Sequence, residues 1–227
     1  MTKFTVCVFD TEATFTDKLV HSMSVMAIQY SLKQGKFESK KIAEMEMYNS
    51  DYFGNILLAN KENVTEKIQK AIRRTPGGCS LDFFPFSVMM SAFAYFVVRY
   101  GGTAISHSAD RDLEFIMNSD RVFGSLLFDG GDVSSSSKIP KWSDINFVCS
   151  QYLICNSKWA HPYNNAWPHS DNKLATLSRD FKKQDHTALG DTENLRFVLD
   201  RLCNVSNGQF LDFRVNAVFA KPPAGIR

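Results

Sequence analysis

Three short segments of the chain hold the residue types of hydrolytic chemistry. Asp10-Thr-Glu12 follows directly on the apolar run Phe4–Phe9. Side chains two apart on a strand face the same way, so both carboxylates project together. At the end of a buried strand such a pair repels itself unless a cation lies between, and all-oxygen donors favour a hard ion such as Mg²⁺ or Mn²⁺. The second segment runs from His107 to Asp112, where a strand gives way to a helix, with Asp110 as its expected cap. The third is His186-Thr-Ala-Leu-Gly-Asp191, with the imidazole just before a helix and the carboxylate in its second turn, so that both can point into one cleft. A neutral imidazole beside a metal-holding carboxylate is suited to taking a proton from water. Taken singly, each segment also fits a helix cap or a solvated strand end.

Taken together, the segments resemble the three motifs of the DEDDh (DnaQ-like) 3′→5′ exonucleases, in that family's order. The residues are Phe9-Asp-Thr-Glu-Ala-Thr14, then His107 with Asp112, then His186 with Asp191, and Leu174-Ala-Thr-Leu-Ser is similar to the family's lead-in to the third motif. The likeness runs from about Phe4 to Leu202. It implies an α/β fold, a mixed five-stranded sheet flanked by helices (the ribonuclease H-like exonuclease fold). It further implies two divalent metal ions, Mg²⁺ or Mn²⁺, held by Asp10, Glu12, Asp112 and Asp191, with His186 as general base. The substrate would be a single-stranded 3′ end, with DNA favoured over RNA, and the product a nucleoside 5′-monophosphate. Thr11, Ala13, Thr14, Phe15 and His107 would contact that substrate. The chain departs from the pattern at Phe15, where relatives often have Gly, and at Ser108 and Arg111, where Asn and an aromatic are usual.

The elements that must position these residues follow from periodicity. Phe4–Phe9 reads as a buried strand, and Met23–Leu32 and Phe37–Tyr48, joined by Lys33-Gln-Gly-Lys36, as an antiparallel hairpin beside it. Asn63-Val-Thr-Glu66 has capping-box spacing and opens a helix that stops at Pro76. A helix opened by Pro85 ends at Gly101-Gly102, and Thr103–Ser106 and Asn146–Cys149 read as short strands. Lys173–Lys183 and Thr187–Leu202 are helical by period. Residues 1–227 make a single exonuclease domain in this reading, with an irregular insertion over about 120–171, most of all Trp159–Asp171, and a C-terminal extension over about 204–227.

Composition narrows the function classes. With 26 basic and 24 acidic residues the net charge is only +2, so this is no nucleic-acid-coating protein, and affinity for phosphate must come from local placement or bound metal. Five scattered cysteines and a strand beginning at Phe4 are the pattern of a cytoplasmic, intracellular protein. Phe83–Val98, the most apolar stretch, is shorter than the roughly 20 residues of a membrane span. Cys149, Cys155, His161 and His169 lack the spacing of a compact zinc site. Trp142, Trp159, Tyr163 and Trp167, interleaved with Lys138, Lys141 and Lys158, either stack bases or pin a long loop to the body. A non-catalytic nucleic-acid-binding module and a phosphoesterase acting on small nucleotides are the rival readings.

Overall fold

The computed structural model describes residues 3–14, 16–34, 36–59, 83–124, 140, 142–184 and 186–209, without the side chains of 55–59. Phe15, the helix expected from Asn63, Lys138, Lys141 and the residues beyond 209 lie outside these residues.

Strand β1 (Lys3–Ala13) is the axis of the molecule. Val6, Cys7, Val8 and Phe9 are all buried, because both faces of the strand are covered. On one side it pairs antiparallel with β2 (Val20–Lys33), which pairs antiparallel with β3 (Lys36–Asn49). On the other side it runs parallel to β5 (Thr103–Ser106), and β5 runs parallel to β6 (Asn146–Cys149). The two-residue β4 (Phe83–Phe84) lies beyond β3, giving the order β4-β3-β2-β1-β5-β6. The sheet is therefore mixed and flanked by helices, as expected, but six-stranded where five strands were expected. The extra strand was illegible because two phenylalanines before a proline carry no period.

Alternation along β1 sorts the core into two layers. Cys7 and Phe9 face one layer, where α2 (Phe86–Arg99) contributes Phe86, Met89, Met90, Phe93 and Val97 and α3 (Ala109–Phe123) adds Leu113 and Ile116. Val6 and Val8 face the other, against Leu195, Val198, Leu199 and Leu202 of α7 (Ala188–Ser206). Short helices α4 (Ser150–Cys155), α5 (Ala160–Ala166) and α6 (Leu174–Leu177) fill in on this second side, and α1 (Ser50–Ala59) follows β3. No helix among the described residues is long and apolar enough to cross a membrane.

Several expectations need correction. Trp159–Asp171 is not irregular throughout, since α5 forms around the fully buried Tyr163. Pro162 misled because it falls in the first helical turn, where the missing N–H has no helical partner to lose. With α4, β6 and the end of α3 also inside 120–171, the described part of the expected insertion is mostly regular structure. Conversely, Lys173–Lys183 is helical only over Leu174–Leu177. The Ser178 hydroxyl donates to the Leu174 carbonyl and Arg201 to that of Leu177, so side chains replace the next helical turn. The aromatics pin elements rather than form one platform. Trp142 packs with Phe93 and Phe147 in the first layer, whereas Trp159 and Trp167 pack in the second.

Gly101 ends α2 at φ +111°, and a Cβ there would stand 3.0 Å from the Thr5 carbonyl oxygen of β1. Neither the backbone angle nor the strand can adjust cheaply. Gly101→Ala is expected to lower stability by about 1–3 kcal/mol, the usual range for a residue forced into such a conformation, read as a lowered urea midpoint at unchanged slope.

Candidate metal centre

Asp10 and Glu12 lie near the C-terminal end of β1, opposite Ser24 and Ser22 of β2. As alternation requires, they share the face on which α7 packs. That helix starts where the Thr187 hydroxyl accepts the backbone N–H of Gly190 at 3.0 Å. Asp191, the fourth helical residue, sits in the first turn, one turn earlier than expected, where the positive end of the helix dipole favours a carboxylate. The start of α7 is pinned to the sheet because Thr192 and Ser24, both fully buried, meet through their hydroxyls at 3.3 Å. One oxygen each of Asp10, Glu12 and Asp191 consequently lie within 4.8 Å of one another.

Asp112, expected as the fourth member, does not join this group. It belongs to α3, on the opposite face of the sheet, and reaches β1 from there. Strand β5 pairs with β1 only as far as Val8↔Ile105, which leaves the flank of β1 at Thr11 to α3. The Thr11 hydroxyl, on the other face from Asp10 and Glu12, donates to Asp112 Oδ1 at 2.6 Å, and the Ser106 hydroxyl donates to Oδ2. Both carboxylate oxygens are thus turned toward hydroxyl donors. Asp112 nevertheless stays electrostatically in touch with Asp10. The Asp10 carboxyl is pushed well above the usual range, first by burial, then by the charges of Asp112, Asp191 and Glu12. Burial also lifts Asp112 to about 6, against the opposing pull of the Ser106 and Thr11 hydrogen bonds and the nearby Arg111.

A donor set of three carboxylates with no nitrogen or sulfur suits a hard divalent cation, which would relieve the repulsion that lifts Asp10. Among the described residues this is the group of His, Cys, Asp or Glu side chains that could hold a metal ion. Cys149, Cys155, His161 and His169 make no such group. Cys149 instead donates to the His107 carbonyl, and His169 Nε2 meets Asn172 Oδ1 at 2.9 Å.

The remaining expected residues have mixed fates. His186 is exposed, in the left-handed region at φ +54°, two residues before α7 and outside the three-acid group. The Thr11 hydroxyl is committed to Asp112. Ala13 and Thr14 end β1 after a bulge and begin the connection to β2, where the Thr14 N–H donates to the Leu19 carbonyl. Asp110 is not the cap of α3, because that position falls to Ser108 and Asp110 is an exposed first-turn residue. His107 also needs correction, since it is buried with both ring nitrogens engaged. Nε2 faces the Asn172 carbonyl at 2.7 Å and must donate, so Nδ1 accepts from Ser150 at 3.0 Å. It ties β5 to the segment before α6 and is closed to a substrate.

Sequence reasoning missed three contributors: Ser106, Ser24 and Gln184. The Gln184 amide nitrogen donates to Asp191 Oδ2 at 2.6 Å. Hydroxyl and amide donors leave no signature in spacing, because their partners are set by the packing of distant elements. No protein-family model and no curated protein matches the chain.

Burial lowers the pKa of His107 below the ordinary histidine value, with Arg111 adding to the effect and the Asn172 carbonyl opposing it. The neutral ring stabilises the fold fully above about pH 6.5, the unfolded value, and this contribution is lost as the pH falls and the unfolded chain takes up a proton. The melting-temperature gap between wild type and His107→Gln should therefore narrow between about pH 7.5 and 5.5. A gap constant with pH would show that His107 is not held neutral.

Proposed function

We propose that the chain is a metal-dependent 3′→5′ exonuclease of the DEDDh (DnaQ-like) kind, with a ribonuclease H-like fold, releasing nucleoside 5′-monophosphates from single-stranded DNA ends. The supporting observation is the convergence of Asp10, Glu12 and Asp191 to within 4.8 Å from two motifs almost 180 residues apart in the chain. An acid set shared by a buried strand and a helix N-terminus is expensive unless a cation joins it, which argues for a metal site over a chance surface cluster. Asp112, close enough to Asp10 to raise its pKa, supplies the fourth negative charge.

Two divalent ions bound here would supply a more acidic water and charge neutralisation at the departing 3′ oxygen. The protein's own tasks are separable. Asp10, Glu12 and Asp191 hold and orient. Asp112, clamped by Thr11 and Ser106, sets the charge on the far side of β1. His186, on the exposed approach to α7, takes a proton from the attacking water as general base.

The test is incubation with 5′-labelled single-stranded DNA and RNA in Mg²⁺, Mn²⁺ or EDTA. A ladder shortening from the 3′ end only with metal is the expected result, and faster loss of the RNA would assign the exoribonuclease reading instead. Retention of substrate without cleavage would favour a binding module, and hydrolysis of small nucleotides alone a phosphoesterase. Asp191→Ala should abolish cleavage while folding normally, and a variant that cleaves at the wild-type rate would sink the assignment. His186→Ala should lose roughly 10²–10⁴-fold in rate, the usual worth of a general base, while still binding Mn²⁺.

A further inference from the structure

Resting on the metal-site reading above, we infer that Gln184 is a positioning residue for Asp191, its side-chain amide fixing the orientation in which that carboxylate meets a cation. The segment between α6 and α7 doubles back along the first turns of α7. Two side-chain pins hold it there, Lys182 Nζ to Glu193 Oε2 and Gln184 Nε2 to Asp191 Oδ2, both at 2.6 Å. Two steps back along the arm match two steps forward along the helix. The reversal lies between them, made by His186 at φ +54° and the extended Thr187.

The two pins differ in kind. Lys182 and Glu193 form an ion pair of partly exposed side chains, which can hold the arm but does not include a member of the acid group. Gln184 acts on a member of that group directly. A carboxylate has about four lone-pair directions, so one amide N–H leaves others for a metal. The chemistry of the donor also matters. A lysine in this place would neutralise Asp191 and compete with the ion, and a glutamate would add to the repulsion on Asp10. A neutral amide fixes direction without doing either. Hydrogen bonds to metal-ligating carboxylates are typically worth 10–100-fold in metal affinity.

The test is calorimetric titration of the full chain with Mn²⁺, alongside melting curves. Gln184→Met keeps the length of the side chain and removes the donor, and Gln184→Asn keeps the amide but cannot reach. Both should melt as wild type does and bind Mn²⁺ roughly 10–100-fold more weakly. Lys182→Met, which cuts only the outer pin, should bind as wild type does. Wild-type affinity in Gln184→Met would overturn the inference and leave the metal site standing. So would an equal loss in Lys182→Met, because the arm rather than the amide would then be responsible. Absence of Mn²⁺ binding to the wild type would overturn the metal reading together with this inference.

Discussion

The constraint on which the rest of this structure depends is the mutual repulsion of carboxylates crowded at one end of β1. Asp10, Glu12 and Asp191 converge within 4.8 Å, and Asp112 lies close enough to raise Asp10 further. In a medium of low dielectric such an assembly opposes folding. It persists because the strand beneath it is covered by apolar side chains on both faces, from α2 and α3 on one side and α7 on the other. Burial of that size can offset a local electrostatic penalty. The fold thus holds a crowded group of carboxyls in place, a group that could bind a metal ion.

The charges are also divided by the sheet. Alternation along β1 sends Asp10 and Glu12 to the α7 face and Thr11 to the α3 face, so one strand end serves two environments. On the α7 face the acids meet each other. On the α3 face Asp112 meets hydroxyls, with Ser106 and Thr11 each satisfying one of its oxygens. A carboxylate held in this way is fixed in direction and still contributes its field across the strand. Thr11 therefore links the two faces in a way that its neighbours in Asp-Thr-Glu do not reveal.

Much of this was legible in the sequence, for definable reasons. Strands β1, β2 and β3, helix α2 and the short β5 and β6 carry strong local signals: continuous apolar runs, a two-residue turn, Pro85 before a helix, Gly101-Gly102 after it. The partnership of Asp10, Glu12 and Asp191 was legible because strand alternation and the start of α7 are local facts, and the family resemblance ordered them. The reading failed where the answer depends on which distant element arrives. Nothing near Asp112 indicates that β5 pairs with β1 only as far as Ile105 and leaves the flank of β1 open to α3. Nothing near His107 indicates that Asn172 and Ser150 will close over it. Helix α5 was hidden for a different reason, since Pro162 reads as a breaker unless its position in the first turn is known.

The distribution of charge limits what this end of the sheet can accept. The chain's net charge of +2 provides little long-range attraction for a polyanion, and acids crowd the end of β1. A phosphodiester approaching Asp10, Glu12 and Asp191 meets repulsion until their charge is offset. The three converging residues are all acids, and the neutral Gln184 amide donates to Asp191 without cancelling its charge. A divalent cation bound by these acids would supply that offset. A cation held by Asp10, Glu12 and Asp191 would relieve their mutual repulsion and make this end of the sheet less hostile to an anion.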